Sequence, residues 1–317
     1  MKFIILVTVG LMELLNSCQH ASQTTASETK DDSLPWVQYR VHDLANDTTL
    51  FAQPQQVGVL TDSDLLETSG LVASRRNPGY LWAEEDSGNP NEIQLLNQSG
   101  KVVARFIVDG AINRDWEDIA IGAGPVAGQT YLYLADIGDN KHQYSEKVIY
   151  RFPEPTVVGQ RLPYEGHITN AEIIRLQLPD GSQNAEAILV DSATKDLFIL
   201  SKGERSLVYR AAYPQSLTQT TTMSRVLAMP FKDVTSAALS PDGSEILIRT
   251  YEKLFYYRRR SVESILDALK RVPLQLPLAT ELQGEAVGWA SNGAGYYTTT
   301  EELDGEPQII YYYARKK

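Results

Sequence analysis

One cysteine and four histidines (His20, His42, His142 and His167) are the only thiol and imidazole groups in this 317-residue chain. A disulfide framework, a thiolate zinc site and a CxxC redox pair are therefore excluded, and the histidines stand at no spacing that would build an imidazole zinc site. Positive charge is also scarce, with 29 Lys and Arg against 40 Asp and Glu and a net charge of −11. No basic stripe with interleaved aromatics occurs, so a nucleic-acid polymer is not an expected partner. No apolar run is long enough to span a bilayer as a helix, because the longest candidate, Phe3 to Leu15, is short and interrupted by Glu13. What is present suits a sizeable core. Hydrophobic residues make up 43%, and seventeen tyrosines against seven phenylalanines tilt the chain toward β-structure.

The N-terminus reads as an address. Met1-Lys2 begins a short basic region, the apolar run follows, and Leu15-Asn16-Ser17-Cys18 closes it. This resembles the lipobox of bacterial lipoproteins. The resemblance implies a signal peptide over 1–17, palmitate-type lipidation of Cys18, a membrane anchor in the cell envelope and, with Gln19 next, sorting to the outer membrane. An ordinary secretory signal with an incidental cysteine is the alternative. The polar, Ser- and Thr-rich stretch to residue 34 then serves as a flexible tether to a single domain over 35–317.

Within that domain, short alternating runs closed by turn residues repeat at a period near fifty. Five segments look alike, marked by Ser69, Glu117, Glu186, Ser236 and Glu285, at spacings of 48, 69, 50 and 49. Each runs through small residues into a turn, a second strand and a third. Four units carry a fourth strand, and Gln55 to Thr61 is a spare strand able to complete the last unit. The expectation is an all-β, five-bladed β-propeller of four-stranded antiparallel blades, closed by that N-terminal strand, with six blades as the alternative because the 69-residue interval has room for one more. One short helix is expected in blade four, over Val262 to Leu269 behind Ser261.

Inner strands start near the axis of a propeller, so the five markers form a ring. Three glutamates converging there repel one another unless a cation lies between them. An oxygen-only set without His or Cys favours one axial calcium ion over zinc, with Ser69, Glu117, Glu186, Ser236 and Glu285 as its shell. The alternative is that each glutamate simply bonds backbone amides at the channel mouth.

The series Ser, Glu, Glu, Ser, Glu is similar to that of calcium-dependent apyrases, five-bladed propellers that hydrolyse nucleotide phosphates around an axial calcium. Asp115-Trp-Glu-Asp-Ile-Ala120, Asp136-Ile-Gly-Asp-Asn140 and Ile149-Tyr-Arg-Phe-Pro-Glu-Pro155 resemble more closely a group of secreted bacterial propeller proteins without an established reaction. The apyrase likeness implies basic residues after the early second strands, where this chain has Glu84-Glu85-Asp86 and Asp136 to Asp139 instead. Lys202, Arg205 and Arg249 are the cations that remain for an anionic ligand, with Glu84, Asp139 and Glu301 as further ligand-facing candidates. Two functions follow. One is a calcium-binding lipoprotein whose propeller face binds an envelope ligand or partner. The other is a calcium-dependent phosphohydrolase in which Asp86 or Asp136 positions water, with a glycosidase using paired carboxylates as a further choice.

Overall fold

The computed structural model describes Val37 and residues 39–317; the expected signal peptide, Cys18 and the expected tether lie outside the described residues. Strand β1 (Gln55–Val59) precedes blade one, which is β2 (Thr68–Ala73), β3 (Tyr80–Glu85), β4 (Glu92–Asn97) and β5 (Val102–Val108). Blade two is β6 (Trp116–Ala123), β7 (Thr130–Asp136) and β8 (Glu146–Pro153), then, after an intervening β9 (Tyr164–Ile168), β10 (Glu172–Gln177). Blade three is β11 (Ala185–Val190), β12 (Leu197–Ser201) and β13 (Ser206–Ala211), with β14 (Thr221–Thr222) preceding its last strand β15 (Ser224–Met229). Blade four is β16 (Val234–Leu239), β17 (Glu245–Thr250) and β18 (Leu254–Arg258), followed by helix α1 (Ile265–Leu269) and β19 (Leu274–Leu276). Blade five is β20 (Gly284–Trp289), β21 (Gly295–Thr300) and β22 (Ile309–Ala314), and β1 pairs antiparallel with β22 as its fourth strand.

The protein is a five-bladed propeller. Five apolar clusters fill its five seams, and one of them joins blade five to blade one through Leu71, Leu81, Ala286 and Ile310. Closing the last sheet with β1 leaves β22 no free edge and ties the first described strand to the last. The inner strands β2, β11 and β20 are buried at every position, because each blade is packed on both faces. That explains why they read as continuous small and apolar residues instead of alternating ones.

The long interval between the second and third markers holds no sixth blade. After β8 the chain crosses to blade one, where β9 pairs parallel to β5, before returning as β10. A shorter excursion places β14 parallel to β10. The helix also starts three residues later than its periodicity suggests. Val262 has φ 57° and is fully exposed, and Ser264, not Ser261, caps α1 by accepting from Asp267 N. A left-handed residue cannot begin a helix, so the apolar face shortens to Ile265, Leu266 and Leu269 with Ala268.

Candidate functional site

Every inner strand is bulged one residue from its start. The register against the second strand slips between Thr68 and Gly70, Trp116 and Asp118, Ala185 and Ala187, Val234 and Ser236, and Gly284 and Ala286. A bulge leaves one residue unpaired and re-aims its side chain, here in the same place in all five blades. The equivalent residues are thus Ser69, Glu117, Glu186, Thr235 and Glu285. Blade four contributes Thr235 in place of the expected Ser236, which falls one rung deeper. Ser69 Oγ donates to Glu117 O at 2.8 Å, and Thr235 Oγ1 lies 3.0 Å from both Gly284 O and Glu285 O, so the two hydroxyls stitch adjacent blades in the same way.

Below the ring lies a floor. Asp118, buried at the next rung, accepts from Ile119 N, Ile188 N and Ala237 N and from Ser236 Oγ, while Ser236 Oγ accepts from Val287 N. One carboxylate therefore ties blades two, three and four, and Ser236 passes the tie to blade five. In blade one the floor position is Gly70, and the carboxyl group of Glu84 fills its missing side chain: a Cβ on Gly70 would stand 2.6 Å from Glu84 Oε1. Deeper still, the channel between Ile119, Ile188 and Ala237 has a free volume of about 20 Å³, roughly one water.

Above the floor the carboxylates crowd. Ligand oxygens of Asp86, Asp115 and Glu117 lie within 4.8 Å of one another. Gly138, in the loop after β7, makes room for two of them, since a Cβ there would lie 2.0 Å from Glu117 Oε1 and 2.6 Å from Asp115. Glu117 also meets Glu186 carboxyl to carboxyl. Glu186 in turn accepts from Asn184 Nδ2 at 2.7 Å and pairs with Lys202 Nζ at 3.0 Å. Burial raises the carboxyls of Glu84, Glu117 and Glu285 well above the usual range, and neighbouring carboxylates push each further. Burial also brings Asp86 and Glu301 up to about 7, and raises Asp115. Both oxygens of Glu84, Glu117 Oε1 and Glu285 Oε2 are buried without a hydrogen-bond partner.

Several expected ligand residues are supports. Arg249 is fully buried, donating to Ala286 O and Thr299 O and pairing with Glu281 at 2.9 Å, so an external anion cannot reach it. Asp136 is 2% exposed and accepts from Asp115 N at 3.0 Å, which holds the strand start and takes it out of a water-positioning role; its carboxyl rises to about 6 through burial. Asp139 accepts from Gln143 N and Tyr144 N and lies 3.7 Å from the buried Lys147, so it shapes its own loop. Lys202 donates to Tyr251 Oη at 2.6 Å besides its pair with Glu186; burial opposes its charge, but Glu186, Glu285 and Tyr251 raise its pKa on balance. Arg205 stands exposed on the same loop. The structure adds Asp115, Asp118, Lys147 and Tyr251. Asp115 and Asp118 flank Glu117 in the single Asp-Trp-Glu-Asp motif, and the repeat across the blades marks only the glutamate position.

No described protein family matches the chain, and no curated protein matches it. Among solved structures it is similar to the beta-propeller domain of Cps50 (Swd1) from Myceliophteria thermophila, at 13% identity over 77% of this chain and 82% of that one, with a TM-score of 0.36. That likeness carries no argument about function. A propeller is a scaffold able to hold a ligand or partner, and the fold alone does not say which.

Proposed function

We propose that the axial carboxylate cluster binds a divalent cation, calcium by its all-oxygen donors, and that the loaded face is the ligand-binding surface of an envelope-anchored propeller. The observation that carries this is the set of partnerless buried oxygens on Glu84, Glu117 and Glu285 beside the Asp86, Asp115 and Glu117 cluster. Buried polar atoms are rarely left without partners, and a cation supplies one to several carboxylates at once. Asp86, Asp115 and Glu117 are the favoured ligands, with Glu186 exchanging Lys202 for the ion. Ser69 and Thr235 are less suited as donors, because their hydroxyls already bond backbone carbonyls.

A phosphohydrolase reading finds less support, since Arg249 is walled in and Lys202 is engaged by Glu186. The test is calorimetric titration of calcium into the folded domain, paired with phosphate release from a panel of nucleotides and phosphate esters. Binding that Glu117→Gln weakens about tenfold or more, without turnover, is the expected result. Absence of calcium binding would falsify the metal reading, and turnover would restore the hydrolase. The anchor at Cys18 is part of the same proposal, and is tested by incorporation of labelled palmitate that Cys18→Ala abolishes.

A further inference from the structure

The protein holds a second acidic feature that shares no residue with the Asp86, Asp115 and Glu117 cluster. At the seam of blades five and one, a groove of about 520 Å³ is lined by Asp64, Glu67, Glu85, Glu92, Glu302 and Gln94. Gln94 is 2% exposed; its Nε2 donates to Glu92 Oε1 at 3.4 Å, and its Oε1 has no hydrogen-bond partner. Arg105 pairs with Glu92 at 2.6 Å and with Asp62 at 2.9 Å, which fixes one wall. Leu66, 48% exposed, and Pro90 add apolar surface.

These features select a ligand class. Glu85 is spent on Leu66 N, Glu67 N and Thr68 Oγ1, and Glu92 on Arg105, so the acceptors left for a ligand lie on Asp64, Glu67, Glu302 and Gln94, and they call for donors and positive charge. Among the described residues, the three-carboxylate group close enough to share one metal ion is the axial one, whereas the groove spreads its carboxylates along apolar walls. A long cation with a hydrocarbon stem fits such a surface, its head meeting carboxylates and its stem lying on Leu66 and Pro90. We infer that this groove binds an alkylammonium or guanidinium group, carried by a basic peptide side chain or by a free polyamine.

The experiment is calorimetric titration of spermidine and of a blocked trilysine peptide into the folded domain in saturating calcium. At least one probe binds, and Glu302→Gln and Gln94→Leu each weaken it about tenfold, the loss of a hydrogen bond to a charged group. Tighter spermidine binding identifies a polyamine site, and tighter peptide binding a side-chain site. The inference is overturned if neither probe binds, if both variants leave the affinity unchanged, or if magnesium displaces the probe far better than sodium chloride of matched ionic strength does. Should Gln94→Leu fail to fold, the surface variant Glu302→Gln decides alone. Repeating the titration without calcium separates the two sites: probe binding in a protein that takes up no calcium sinks the axial reading and leaves this one standing.

Discussion

Two glycines carry as much of the candidate site as its carboxylates do. Gly138 and Gly70 are needed for the space a side chain would take, the first against Glu117 and Asp115, the second against Glu84. Gly138→Ala would force its methyl group into the Glu117 and Asp115 carboxylates, so calcium affinity should fall. Calorimetry on a variant with a native-like circular dichroism spectrum checks this, and unchanged affinity would place the cation away from Glu117. Asp118 calls for a different expectation. It receives three backbone amides and one hydroxyl in the buried floor, so Asp118→Ala strands those donors and should cost about 3 kcal/mol or more of stability. Chemical denaturation measures it, and a loss within the range of a surface substitution would mean the floor is not held by this carboxylate. The glutamates of the ring were legible in the sequence because they recur at a fixed spacing. Thr235 and the floor were not, since a bulge shifts a strand by one residue without changing its apolar pattern, and Ser236 beside Thr235 satisfies that spacing equally well.

Elements were more legible than side chains. Small residues after each marker, turns at regular intervals and recurring second and third strands gave the five blades and the closing β1, because each blade must solve the same packing problem. The 69-residue interval showed extra length but not its path, for a parallel pairing with a strand of another blade leaves no local signature. Its anchor is Glu154, fully buried at the base of blade one, which accepts from Ser74 Oγ at 2.5 Å, Arg75 N and Arg76 N at 3.0 and 3.2 Å, and Trp82 Nε1 at 3.0 Å. This one side chain binds the segment leaving blade two to the first turn of blade one. Glu154→Ala should destabilise the domain by about 3 kcal/mol, through four donors left buried. It should also raise hydrogen exchange in Tyr164–Ile168 before the other strands. Uniform exchange across all blades would show that β9 is held by its own pairing and not by this anchor.

At the scale of the whole molecule, the acidic excess becomes a link between pH, calcium and stability. Burial pushes Glu85, Asp86 and Glu301 up to about 7, and Glu84, Glu117, Asp118 and Glu285 move in the same direction. In the unfolded chain all of them titrate near the ordinary carboxylate range of about 4. Between those values the folded state holds more protons than the unfolded one, so without calcium the stability falls as pH rises through the window from about 4 to about 7. A cation reverses the balance, since it favours the deprotonated carboxylates that burial disfavours, and it stabilises only the state that binds it. The melting temperature of the calcium-free domain should therefore drop as the buffer moves from mildly acidic to neutral. Saturating calcium should flatten that slope and give its largest increment at the neutral end. A calcium-free melting temperature that does not fall over this range would mean these carboxyl groups are solvated. A slope that falls but ignores calcium would mean they are buried and protonated at rest, with Glu84 and its neighbours forming a neutral plug in the channel instead of a cation site.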